Sequence, residues 1–216
     1  AGAGTVASGW FDNTLARMDE FVATSASLDV TFPESVDAAD GFALPVRVTN
    51  NTGHKLPTGY SEGRVMWLEI TARYGDQVVW SSGSFDQEQG SIEDDAQVRR
   101  YEAIAEDFDD GTTLHLLKNN HWVLDSRIPP AGLVLDPQTD PVGDRYTAMD
   151  GAWPNYDDVA YDFGATALAD ETPGEDDELQ IQVRLLYLIN TAQYVEVLAE
   201  DNDTNSAGTD VAALFD

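Results

Sequence analysis

The sequence predicts a mainly β protein: an immunoglobulin-like β-sandwich with an N-terminal helix and long irregular loops. Three observations carry this. Short runs alternate apolar and polar residues with a period of two, a glycine-bearing two-residue turn joins two of those runs, and helix never alternates regularly with strand as a parallel sheet would require. The 216 residues, 42% of them hydrophobic, suffice for one core. They divide into an N-terminal helix at 1–27, read as a contact arm, and a sandwich domain at 28–216.

Residues 8–26 read as the helix, because Phe11, Leu15, Met18 and Val22 fall on one stripe and Ser8 with Asp12 suits a helix start. Leu28, Val30 and Phe32 then alternate with Asp29 and Thr31, and Leu44, Val46 and Val48 alternate with Pro45, Arg47 and Thr49, giving two half-buried strands. Residues 64–74 and 77–80 form a hairpin about Gly75-Asp76, where glycine supplies a positive backbone dihedral. A polar loop follows at 83–96. Residues 98–105 resume as a strand, with Arg99, Tyr101 and Ala103 on one face. Arg127-Ile128-Pro129-Pro130 must be extended, since each proline disfavours helix before it. The stretch 136–178, rich in Asp, Pro and Gly, reads as a long irregular segment that is functional or wraps the sheet edges. Leu179–Asn190 reads as a central strand buried on both faces, and 194–200 as a last short helix.

Charge and cysteine count exclude several functions. Eleven Lys+Arg against 40 Asp+Glu leave a formal charge of -29, which opposes binding to nucleic acid or an anionic membrane. With no cysteine, disulfides, thiolate metal sites and covalent Cys-His haem attachment are impossible within this chain. No run of ~18 apolar residues is present, so no membrane insertion by a helix is expected. The Ala-Gly start lacks the charged and apolar regions of a signal peptide and suits a mature, processed form. Asp outnumbers Glu about two to one and lysine occurs only at positions 55 and 118. Such crowded carboxylates repel in dilute buffer, and salt at ~1 M shortens the Debye length to ~3 Å. The expectation is a halophilic protein whose melting temperature rises with salt; a flat or falling series would count against it.

The densest cluster of turn formers is Asn50-Asn51-Thr52-Gly53-His54-Lys55-Leu56-Pro57-Thr58-Gly59-Tyr60, between two strands. His54 is the one group there able to ligate a metal or shuttle a proton near neutral pH, though a rigid loop bonded to its own backbone would use the same residues. The run Gly53–Tyr60, followed by Gly63-Arg64-Val65-Met66-Trp67-Leu68-Glu69-Ile70, resembles the non-haem β-domain attached to extracytoplasmic multihaem c-type cytochromes of bacteria and archaea. Asp125-Ser126-Arg127-Ile128-Pro129-Pro130-Ala131-Gly132 resembles that family's Asp-Asn-Arg-Ile-Pro-Pro segment, and Val183-Arg184-Leu185-Leu186-Tyr187 its closing strand. The ordered match spans roughly residues 10–200. One departure narrows what it implies: Cys-x-x-Cys-His haem sites usually accompany this domain, and here there are none. The resemblance therefore implies a place beside a cytochrome, outside the cytoplasm, with any haem c carried by the partner chain.

Haem iron takes axial imidazole, which a neighbouring subunit can donate. His54 is the leading candidate, with His121 and His115 behind it; the latter two lie six apart across an expected turn, which does not suit a joint site. Calcium takes six to eight hard oxygens, and Asp201, Asp203 and Asn205 imitate the start of a calcium loop without its glycine and glutamate. Asp136 with Asp140, or Asp157 with Asp158, would serve about as well. Arg64 and Arg127 are expected to pair with carboxylates that fix their loops. Trp122 and Trp153, in loops, are the expected exposed anchors for a partner. Enzyme signatures are absent, so no catalytic activity is expected. The leading expectation is a haem-free subunit packed on a multihaem cytochrome assembly. The alternatives are a carbohydrate-binding or adhesion module, calcium-dependent in some versions, and a homo-oligomer or filament subunit.

Overall fold

A computed structural model describes residues 3–37, 39–109, 111–115, 117–165 and 178–214. It is mainly β, with two antiparallel sheets packed face to face, as the alternating pattern predicts. After helix α1 (Ala3–Thr24) come β1 (Ala26–Val30) and β2 (Phe42–Asn50), which pair with Leu28 opposite Val48. β3 (Val65–Tyr74) and β4 (Gln77–Ser82) form the expected hairpin about Gly75, whose φ of 51° requires a residue without Cβ strain. Two short strands, β5 (Phe85–Asp86) and β6 (Ser91–Ile92), occupy the polar loop.

The strand expected at 98–105 is broken at Glu102 into β7 (Arg99–Tyr101), which pairs with β3, and β8 (Ala103–Asp107), which joins a small side sheet. The Ser126 hydroxyl accepts from the Glu102 N–H and contacts its carbonyl, occupying the backbone at the break. The side sheet is completed by β9 (Gly111–Thr112) and β10 (His121–Asp125). β11 (Tyr156–Phe163) pairs with β2 along its whole length, and β12 (Leu179–Leu188) with β3. Helices α2 (Ala192–Asp201) and α3 (Ala207–Ala212) close the described chain.

The core lies between sheet β1-β2-β11 and sheet β12-β3-β4/β7. Leu44, Val46 and Val48 face Met66, Leu68 and Ile70, with Tyr161 and Phe163 completing the layer. Trp80 packs on Phe163 at 4.2 Å between ring centroids, and Phe42 stacks on Phe163 at 4.7 Å. β3 is the central strand. β12 lies at the edge among the described residues: Ile181, Val183, Leu185 and Tyr187 pack on the core, while Gln180, Gln182 and Arg184 alternate outward. Its apolar content misled the periodicity because Leu186 and Leu188 are only partly covered.

β11 falls inside the segment expected to be irregular. Asp157, Asp158 and Asp162 disguise it, although Asp157, Tyr161 and Phe163 are the buried positions of a regular alternation. Before β11 the same segment makes two isolated bridges, Val142 with Asp125 and Ala152 with Val134; positions 166–177 of it lie outside the described residues.

Candidate functional site

The two segments that carry the family resemblance meet at one place. Leu56 and Ile128 exchange backbone hydrogen bonds of 2.9 Å in each direction, so the loop after β2 and the extended segment after β10 form a two-residue ladder. Asn50, buried at the end of β2, bonds both. Its Nδ2 donates to the carbonyls of His54 (2.7 Å), Ile128 (2.9 Å) and Pro129 (3.1 Å), and its Oδ1 accepts from the Thr52 N–H and hydroxyl, each at 2.8 Å. One side chain thus ties the loop at His54 to the segment at Ile128, 78 positions beyond Asn50, and gives the Pro129 carbonyl a donor.

Charge reinforces the junction. Lys55 Nζ donates to Asp125 Oδ2 at 2.6 Å, and Arg127 grips the same carboxylate through Nε and Nη2, each at 2.8 Å. Asp125 is 3% exposed. Burial opposes its ionisation, but the Arg127 guanidinium and Lys55 ammonium outweigh that effect and hold the carboxyl below its ordinary range. Arg127 also lies over the Trp122 ring at 5.7 Å. The Tyr146 hydroxyl donates to the Ser126 carbonyl at 2.9 Å, and the Arg145 guanidinium reaches the carbonyl of Arg100.

Arg64 departs from expectation. It pairs with no carboxylate among the described residues; its Nη1 donates to the Thr58 carbonyl at 2.7 Å, and its Nε is buried without a partner. Gly59 makes room for it, because a Cβ there would strike the guanidinium, and the φ of 79° independently favours glycine. Arg127 does pair as expected. Asn50, Lys55 and Asp125 were given no role by sequence reasoning. The available signal was the scarcity of lysine: one of only two stands in the motif.

His54 is exposed at the tip of this braced loop. Only its backbone is engaged, through bonds with Asn50 and Thr52, and its ring makes no bond among the described residues. Between His115 and His121 the Lys118 and Asn119 N–H groups donate to the His115 carbonyl in a turn. His115 Nδ1 accepts from the Leu117 N–H, while His121 sits 2.7 Å from Glu106 Oε1 and stacks on Phe108. Each is engaged through Nδ1 alone, whereas the His54 ring is exposed and makes no bond at either nitrogen among the described residues.

Asp201 ends α2, and Asn205 Oδ1 accepts from the Ala207 N–H and from Asn202 Nδ2, so Asn205 is occupied with the connection to α3. Asp157 and Asp158 cannot share an ion: as neighbours in β11 they point to opposite faces, Asp157 toward Arg99 and Asp158 toward Arg47. Asp140 Oδ1 accepts from the Asp136 N–H and from the Trp153 indole. Among the described residues, no three His, Asp or Glu side chains converge to hold a metal ion. Trp153 and Trp122 are half-buried instead of exposed; the exposed tryptophan is Trp10.

A separate cavity of about 360 Å³ lies between the β5–β6 hairpin, the end of β12 and α2, lined by Arg100, Glu102 and Glu196. Burial pushes the Glu102 carboxyl up, against the pull of Arg100 and Arg145.

No described helix is long and apolar enough to cross a membrane. No family model matches the chain, and no curated protein matches it. Among solved structures, the chain is similar to a penta-haem cytochrome c552 from Thermochromatium tepidum, at 17% identity and a TM-score of 0.47; the match covers 87% of this chain and 37% of the cytochrome.

Proposed function

We propose that the chain is a haem-free, extracytoplasmic β-sandwich that packs on a multihaem c-type cytochrome assembly involved in electron transfer. It contributes structure and insulation, and through His54 an axial imidazole to a haem carried by the partner. Electron transfer itself is the partner's work. The observation that carries this reading is the convergence of the two motifs. Segments 70 positions apart, both resembling the cytochrome-associated domain, are locked into one unit by Asn50 and by the Lys55–Asp125–Arg127 cluster, and that unit presents an imidazole with no bond to its ring. A rigid loop reduces the entropy lost when a partner immobilises it, and an uncommitted imidazole can ligate iron once a neighbour orients its second nitrogen.

The purified chain should show no Soret band. Its complex with a multihaem cytochrome from the same cells should show one, and His54→Ala should change that complex's low-spin spectrum while leaving the thermal unfolding of the isolated chain unaltered. An unchanged spectrum removes the ligand role; failure of the wild-type chain to co-purify with any haem protein removes the docking role.

A further inference from the structure

We infer that α1 pairs in parallel with α1 of a second copy of this chain, making the protein a dimer joined at its N-terminal helices. The observation is independent of the cytochrome reading. Helix α1 meets the sandwich mainly at β1, and its apolar stripe faces solvent: Trp10 is 72% exposed, Phe21 66%, and Phe11, Leu15, Met18 and Val22 are each at least half exposed. At 3.6 residues per turn these six side chains cover an arc of about 140°, one contiguous face instead of scattered single residues. Most of a helix's stability in a protein comes from packing its apolar face, so the exposed face calls for a cover.

The sequence of the helix selects the cover. Phe11, Leu15, Met18 and Val22 are spaced 4-3-4, the seam of a two-stranded coiled coil, which matches a second copy of itself. The rims of the stripe carry opposite charges: Asp12 and Asp19 lie beyond Leu15 on one side, and Arg17 beyond Trp10 on the other. A two-fold axis parallel to the helices brings opposite rims together, so Arg17 of each copy faces the acidic rim of the other. An antiparallel pair would instead set Asp12 and Asp19 against their like. A bilayer is a poor alternative, because a membrane-surface helix carries Lys and Arg on its polar face, and here that face holds Asp12, Asp19 and Glu20 on a chain of charge -29.

Two bodies of that charge repel, which gives the dimer a signature: association should tighten as salt rises from roughly 0.1 to 1 M and the Debye length falls from ~10 to ~3 Å. Sedimentation equilibrium of the full chain should show a dimer at high salt. The double variant Leu15→Asp/Met18→Asp should raise the dissociation constant about a hundredfold through loss of two central apolar anchors, with the sandwich melting as before. Because the chain has no cysteine, Val22→Cys gives a clean orientation probe: on oxidation it should cross-link to its own copy, and a mixture of Phe11→Cys and Val22→Cys chains should give no disulfide between positions 11 and 22. A monomer at every salt concentration, a dimer indifferent to the seam variants, or cross-linking only between positions 11 and 22 would each overturn the proposal.

Discussion

Replacing Asp125 by asparagine is expected to lower the unfolding free energy by about 3–5 kcal/mol, the usual cost of removing one partner from a buried ion pair. The carboxylate is 3% exposed and accepts from Lys55 and twice from the Arg127 guanidinium. Asparagine keeps one carbonyl oxygen but turns an amide N–H₂ toward two cations. Lys55 and Arg127 are then left with no counter-charge at the junction, their side chains only 13% and 14% exposed. At ~2–4 °C per kcal/mol for a domain of this size, the melting temperature should drop by roughly 6–20 °C. A drop worth less than about 1 kcal/mol, the range of solvent-exposed pairs, would mean that water reaches the junction and that the two motifs hold together without it.

The same carboxylate predicts a pH signature. Its folded pKa lies below the ordinary value, so its contribution is fully present above the unfolded value near 4 and is lost as pH falls through the folded one. Wild type and Asp125→Asn should therefore differ by a constant amount from about pH 5 upward and converge in stronger acid. Denaturant midpoints measured from pH 7 down to pH 2 test this, and a gap that widens on acidification would contradict the assignment.

How far the sequence revealed this arrangement depended on the kind of interaction. Period-two alternation located β1 and β2 because one face of each is buried, and burial is what hydrophobic pattern reports; the Gly75-Asp76 turn located the β3–β4 hairpin, whose β3 is buried on both faces over Val65–Leu68. It failed at β11, where the buried positions include Asp157: a carboxylate neutralised by Arg99 sits inside while reading as a loop residue. It promoted β12 to the centre because Leu186 and Leu188 continue the outward row of Gln180, Gln182 and Arg184 with apolar residues that are only partly covered. At the site, the two motifs were legible as segments, but their meeting was not. Ion pairs such as Lys55–Asp125 join residues 70 apart, and nothing local to either records the partner. The histidine ranking rested on His54's place in the turn-rich motif and on the six-residue spacing of His115 and His121; the structure adds that those two are bonded through Nδ1 and the His54 ring is not.

The second large effect is expected at Asp157, where the two sheets are tied together across the core. From β11 its carboxylate accepts from Arg99 Nε at 2.7 Å and Nη2 at 2.6 Å, and from the Tyr101 hydroxyl at 2.9 Å, both on β7 in the opposite sheet. Asp157 is 4% exposed and Tyr101 wholly buried. The Arg99 side chain keeps 26% exposure, which lets water soften the loss, so Asp157→Asn should cost about 3 kcal/mol, the lower end of the range for a broken buried pair. That value alone does not measure what the network contributes, because part of it is the penalty of stranding a guanidinium. The triple variant Arg99→Met/Tyr101→Phe/Asp157→Leu separates the two, since it removes every polar member while keeping the volume roughly filled. Its stability should recover to within about 1 kcal/mol of wild type, because apolar replacement of a buried pair is often neutral or stabilising. Denaturant titration of all three proteins decides the point. A triple variant as unstable as Asp157→Asn would show that the charges supply net stability across the core, and not mainly the register in which β11 and β7 face each other.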